Sequence, residues 1–208
     1  MSSIILQRSA VILAGGYSRR LGRDKGLVVL AGKPLVVHVT DQVSRVVDEI
    51  VVVVSSESQK KNLEAFMEKK AKIVVDKTKS QSPLVGAMTG FGSVQGTYSL
   101  LLPCDTPLIS VKIIQFLLDI CTNRNAIIPR WPSGYIEPLQ AVYHTKSALI
   151  AAKKALKQEK MDMRSMIENL ANVCYISTIV LERMDPKLLT FFNINTPQDL
   201  KNAESLLK

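Results

Sequence analysis

Residues 10–25 read AVILAGGYSRRLGRDK. The first five are apolar and end on a Gly-Gly pair, the pattern of a buried strand opening into a loop. The pattern recurs downstream. Residues 50–54, IVVVV, form an unbroken β-branched run, as expected of a central parallel strand covered on both faces. Further short strands are predicted at 72–75, 98–102 and 126–128. Between them, residues 34–47, 57–70, 83–94 and 111–121 read as helices, with Pro34 well placed in a first turn. This alternation predicts an α/β fold that is Rossmann-like, with a mostly parallel central sheet and helices on both faces. Beyond Arg130 the rhythm changes. A loop leads to a strand at 139–143, followed by helices at 146–156 and 163–170 and strands at 173–177 and 191–194. A last helix runs from Pro197 to residue 207, with Thr196 as its N-cap. No repeat or linker interrupts the 208 residues, so residues 1–208 read as one domain.

The formal net charge is +9, which suits an acidic partner such as nucleic acid, an anionic membrane or a polyphosphate substrate. No dense Lys/Arg block interleaved with aromatics is present, so no nucleic acid partner is expected. The apolar N-terminal stretch is broken by Gln7 and Arg8, and no run of eighteen apolar residues occurs. Neither export nor membrane insertion is expected. Cys104, Cys121 and Cys174 are odd in number and contain no CxxC pair. This argues against a disulfide framework or zinc site and for a reducing, cytoplasmic compartment.

Four segments carry candidate chemistry. In LAGGYSRRLGRDK, residues 13–25, Gly15 and Gly16 are expected to take positive φ and let the backbone approach a ligand, their amides cradling phosphate or touching a base. Arg19, Arg20, Arg23 and Lys25 concentrate positive charge that calls for an anion. The string matches neither the Walker A pattern nor the GxGxxG fingerprint, which removes support from P-loop nucleotidases and nicotinamide dehydrogenases. In LLLPCDTPLIS, residues 100–110, a strand delivers Asp105 to its C-terminal end. There a carboxylate is well placed to hold Mg2+ together with substrate phosphates, whereas helix capping falls more naturally to Ser110. Asp76 ends the strand at 73–75 as a turn former or a ligand contact, followed by Gly86 and Gly90, where backbone can pass near a base or ribose. In FFNINTPQDL, residues 191–200, Asn193 and Asn195 are predicted on one face of a strand, with Asn195 completing a metal shell or touching phosphate. His38 and His144 match no metal-ligand spacing.

Taken in this order and at these distances, LAGGYSRRLGRDK, Asp76 with SPLVGAM, PCDTPLIS and FFNINTPQDL resemble the molybdenum cofactor guanylyltransferases, a branch of the nucleotidyltransferases with a glycosyltransferase-A-like fold. The resemblance spans almost the whole chain and implies transfer of GMP from GTP to molybdenum-molybdopterin, with release of pyrophosphate. It implies nucleotide contacts at Leu13, Ala14, Gly15, Ser55 and Asp76, phosphate binding at Lys25, and nucleotide and Mg2+ at Asp105. Lys25, Asp105 and Arg20 would then carry catalysis. Residues 8–130 would form the nucleotide-binding part and 131–208 the acceptor-binding and C-terminal part, with transient contact to molybdenum cofactor enzymes. SPLVG departs from the common GPLAG, and any need for positive φ at Ser82 would be strained. LAGG, rather than the LAAG of cytidylyl relatives, favours guanine. A CTP-using or sugar-phosphate nucleotidyltransferase and a non-catalytic cofactor carrier are the alternatives.

Overall fold

The computed structural model describes residues 7–18, 22–67, 70–76, 78 and 82–207, without the side chains of residues 17, 18 and 23. In chain order the first half runs β1 (Arg8–Leu13), β2 (Tyr17–Ser18), β3 (Arg23–Asp24), β4 (Val29–Leu30), β5 (Lys33–Pro34), α1 (Leu35–Val43), β6 (Glu49–Val54), α2 (Glu57–Met67), β7 (Lys72–Val75), α3 (Pro83–Phe91) and β8 (Tyr98–Pro103). The second half runs α4 (Val111–Asp119), β9 (Ala126–Arg130), β10 (Ala141–His144), α5 (Thr145–Lys157), α6 (Met163–Glu168), β11 (Val173–Ser177), α7 (Thr178–Leu181) and α8 (Pro197–Leu206). Seven strands form one sheet in the order β11-β9-β10-β8-β1-β6-β7. All pairings are parallel except those of β10, which runs antiparallel to both neighbours.

Side-chain alternation along the central strands divides the core. Ala10 and Ile12 of β1, with Val52 and Val54 of β6, face a cluster that includes Val39 of α1, Leu63 of α2, Ile113 of α4 and Leu181 of α7. Val11, Val51, Val53 and Leu101 face the opposite cluster, built from α3, α5 and α6. Strands buried on both faces require unbroken apolar runs, which explains why residues 50–54 read so clearly. A third, smaller cluster joins Val28, Leu30 and Leu35, around the β4–β5 hairpin, to Ile194 and Ala203 near α8. It fastens the C-terminal segment beside the loop that follows β1.

Two expectations change. Residues 191–194 are not a strand. Leu188 takes a left-handed φ of 47°, and Leu189–Phe191 form a single 3-10 turn. Asp185 accepts from both the amide and the hydroxyl of Thr190, each at 2.8 Å. The apparent alternation arises because Phe192 and Ile194 both pack in the small third cluster while the backbone between them is irregular. Gly90 does not approach a ligand either. It lies where α3 packs on β1, and a Cβ there would overlap the Val11 side chain. Gly90→Ala should therefore cost about 1–3 kcal/mol through overpacking, read as a lowered melting temperature. Val11→Ala in the same chain should recover most of the loss; additive losses in the double variant would refute the contact.

Candidate active site

The chain passes from β1 through β6 to β7 on one side, then crosses back to β8 on the other side of β1. The carboxyl ends of β1 and β8 thus form a topological switch point, where open α/β sheets bind ligands. A cavity of about 340 Å3 lies there, lined by Leu13, Gly15, Gly16, Lys25, Ser55, Asp76, Gly86 and Asp105 together with Val53, Val54, Ser82, Pro83, Pro103, Cys104 and Leu139. Backbone bonds extend the ladder past the strand ends and hold the rim: Ala14 N donates to Val53 O at 2.8 Å, Cys104 N to Leu13 O at 3.0 Å and Asp76 N to Val54 O at 2.8 Å.

The Lys25 ammonium donates to Asp105 Oδ2 at 2.7 Å and to Asn195 Oδ1 at 2.7 Å. Three segments separated by 80 and 170 residues meet at this one nitrogen. Asp105 is 7% exposed, and its Oδ1 is buried without a hydrogen-bond partner. Leaving such an acceptor unsatisfied costs about 1–3 kcal/mol or more, so this oxygen fits a cation that arrives with the ligand. The C-terminal segment is docked by Ile194 N, which donates to Asp105 O at 2.8 Å. Thr196 and Asp199 form a reciprocal capping box at the start of α8, and Asp199 also accepts from Asn195 N at 3.0 Å. The Thr-x-x-Asp spacing was available in the sequence as a cap signal, and its second member positions Asn195.

The glycine loop works differently from expectation. Gly15 and Gly16 are not among the positive-φ glycines, which in the described residues are Gly22, Gly32 and Gly134. What demands glycine at 15 is proximity: a Cβ would collide with Ser55 Oγ, whose hydroxyl donates to the Gly15 carbonyl. Gln59 ties the two sides of the pocket together. Its Oε1 accepts from Ser55 N at 2.8 Å and its Nε2 donates to Asp24 Oδ1 at 2.9 Å. Nothing in the helical pattern of α2 marked Gln59, because its partners lie in two other segments.

Asp76 both lines the cavity and forms a turn, its Oδ1 accepting from the amide and hydroxyl of Thr78 at 3.0 and 2.7 Å. Ser82 has φ −147° and caps α3 through Val85 N, so no positive φ is required there. Asn193 is exposed and turned back on the Phe191 carbonyl at 3.2 Å; with no strand to align the two amides, only Asn195 reaches Lys25. Ala14, expected at the nucleotide, is buried in the core and does not line the cavity. Arg19 and Arg20 lie outside the described residues. His38 bonds to Leu30 O and His144 to Ser147, and both serve local structure. Burial, with the Asp105 carboxylate beside it, pushes the Cys104 thiol up.

A cavity with a lysine and a half-satisfied carboxylate at the switch point is the equipment of a nucleotidyltransferase. A model of the MobA-like NTP transferase domain matches residues 10–173. The chain belongs to the MobA-like NTP transferase family. It is 32% identical over 200 residues to the "probable molybdenum cofactor guanylyltransferase" of Methanosarcina mazei, covering 94% of this chain and 89% of that one. The crystal structure of molybdopterin-guanine dinucleotide biosynthesis protein A from Archaeoglobus fulgidus superposes with a TM-score of 0.81 at 29% identity, covering 96% and 98% of the two chains. The 4-diphosphocytidyl-2C-methyl-D-erythritol synthase of Anaerococcus prevotii shares the fold at a TM-score of 0.74, with 16% identity and 97% and 96% coverage. No helix among the described residues is long and apolar enough to cross a membrane.

Near this site, burial raises the Glu137 carboxyl above its ordinary range, opposed by the Trp131 indole, which donates to Oε1 at 2.7 Å. Below the unfolded value of about 4.3 both folded and unfolded forms are protonated. As pH rises towards the higher folded value, the unfolded chain ionises first and stability falls. Glu137→Gln keeps the acceptor for Trp131 without the charge. It should match wild type in unfolding free energy near pH 4 and exceed it near pH 8; a pH-independent difference would contradict the burial effect.

Proposed function

We propose that the protein transfers GMP from GTP to molybdenum-molybdopterin, forming the guanine dinucleotide cofactor and pyrophosphate. The observation that carries this reading is the Lys25–Asp105–Asn195 cluster at the mouth of the switch-point cavity, supported by the names of the relatives at about 30% identity. Leu13, Gly15, Gly16, Ser55, Asp76 and Gly86 form the nucleotide wall. Gly15 and Gly16 line the cavity with backbone alone, so a ligand can approach their peptide groups closely.

A terminal phosphate oxygen of the acceptor forms a bond to the α-phosphorus of GTP while the bond from that phosphorus to the α–β bridging oxygen breaks. Pyrophosphate leaves with the bonding electrons. The acceptor phosphate is largely ionised at neutral pH, its second pKa being about 6, so no general base is required. The obstacle is repulsion between two polyanions, and Lys25 offsets it while aligning the triphosphate. Asp105, and Asn195 beside it, would hold Mg2+, which neutralises phosphate charge when bound. The apolar side chains of Leu13, Val53 and Leu139 line the cavity and would limit the access of water to the reacting phosphorus.

The acceptor side lies further along the same sheet edge. A recess of about 510 Å3 is lined by Arg130, Gly134, Ile136, Arg164, Glu168 and Tyr175, among others. The Arg130 guanidinium lies 5.4 Å from the Tyr175 ring centroid, and among the described residues neither arginine pairs with a carboxylate. The strands of this recess, β9 and β11, lie beyond β10 from β8, which sets the recess apart from the cavity along the sheet. A cytoplasmic setting and hand-over of the product to molybdenum cofactor enzymes complete the reading.

Lys25→Ala should lower kcat/KM by about 100- to 1,000-fold, an effect of roughly 3 kcal/mol. Asp105→Asn should abolish Mg2+-dependent product while moving the melting temperature little. Both are read by mass spectrometry of the product from GTP, Mg2+ and molybdopterin, and turnover within threefold of wild type in both would exclude these roles. Separately, Arg130→Gln combined with Arg164→Gln should raise the acceptor KM but leave the thermal shift with GTP unchanged; an unchanged acceptor KM would remove the acceptor from this recess.

A further inference from the structure

We propose that Lys25 is a resident counter-ion that keeps bare divalent cations off Asp105, so that metal reaches this carboxylate only in company with a nucleotide. The inference rests on the nucleotidyl-transfer reading above and adds an order of binding to it.

The ammonium occupies the place a cation would take. Asp105 Oδ2 and Asn195 Oδ1 are both 2.7 Å from Lys25 Nζ, and both are hard oxygens of the kind Mg2+ prefers. A metal drawing on these two atoms and an ammonium donating to both exclude each other. An ion approaching through the cavity without phosphates also meets a positive charge in direct contact with the Asp105 carboxylate. Among the described residues no three His, Cys, Asp or Glu side chains cluster as a metal site. The other carboxylate in the cavity wall, Asp76, already engages Thr78 and Thr89 through Oδ1.

A nucleotide changes the balance. Its phosphates give the ammonium an alternative anion and give the metal the oxygens that the protein lacks. Lys25 carries its charge on a flexible four-carbon stem, and its side chain is 27% exposed at the cavity mouth. It can turn from Asp105 to the phosphates while remaining in the site. The exchange frees Oδ2, and the buried Oδ1, partnerless in the ligand-free protein, gains a cation at the same moment. Lys25 thus serves twice, first as a placeholder and then as a phosphate ligand.

The test uses the full chain and Mn2+ as the probe, with protein-bound Mn2+ measured by equilibrium dialysis with and without GTP. Wild type should retain Mn2+ with GTP and little without it. Lys25→Met and Lys25→Gln should bind nucleotide-free Mn2+ about tenfold more tightly than wild type, the scale on which an adjacent opposite charge alters a carboxylate's affinity for a cation. Lys25→Arg, which keeps the charge, should resemble wild type, and adding Asp105→Asn to Lys25→Met should abolish the gain. Circular dichroism checks that each variant is folded. If nucleotide-free wild type binds Mn2+ as tightly as folded Lys25→Met or Lys25→Gln, the placeholder role is overturned while GTP binding stands. If wild type shows neither GTP-dependent Mn2+ retention nor a thermal shift with GTP, the nucleotide reading itself fails and takes the inference with it.

Discussion

One ammonium, shared by the Asp105 carboxylate and the Asn195 amide at 2.7 Å each, sets the requirements for the surrounding structure. A charge pair that is largely removed from water is favourable only when its geometry is held tightly, because desolvation opposes it. The three segments that supply these groups are therefore each fixed by independent means. Asp105 follows β8, whose end is locked to β1 by the Cys104–Leu13 backbone bond. Lys25 follows the β2–β3 hairpin and is tied back by its own amide to Gly16 O at 3.0 Å. Asn195 is set by the capping box of α8 and by Ile194, buried in the third core cluster.

This explains why so small a cluster as Val28, Leu30, Leu35, Ile194 and Ala203 matters. It adds little to the main core, yet it is the apolar contact that brings the chain's end against the loop after β1. It supplements the Ile194–Asp105 backbone bond and the Lys25–Asn195 contact in positioning Asn195. Packing at a distance from the pocket thereby determines which oxygens surround the lysine.

The fold was legible in the sequence wherever a strand is buried on both faces. β6 and β8 show themselves as apolar runs because neither face meets water, and the alternation of strand and helix then dictates a parallel sheet. The antiparallel sense of β10 was not legible, since a four-residue strand carries no directional signal and its direction is set by the loop from Trp131 to Gln140. The same limit applies to the site. Lys25 and Asp105 stood out because a glycine loop crowded with cations calls for an anion and a carboxylate at the carboxyl end of a central strand is well placed for a ligand. Asn193 and Asn195 looked equivalent because both sit beside apolar neighbours, and only the 3-10 turn at residues 189–191 separates them. Gln59 was invisible because its importance lies in bridging Ser55 and Asp24, a relation that exists only in three dimensions.

The choice of an amide at 195 rather than a second carboxylate also follows from the charges. With two carboxylates the cluster would carry a net negative charge around one lysine, attracting bare cations and repelling a triphosphate. With one carboxylate and one amide, the ammonium neutralises the pair, and the unsatisfied Asp105 Oδ1 remains the single local demand for more positive charge. A charge-balanced cluster of this kind resists an anion less than an acidic one, and it is completed by a ligand that brings anion and cation together. In the proposed reaction that ligand is a metal-bound nucleotide, and the restraint lies in the composition of three side chains.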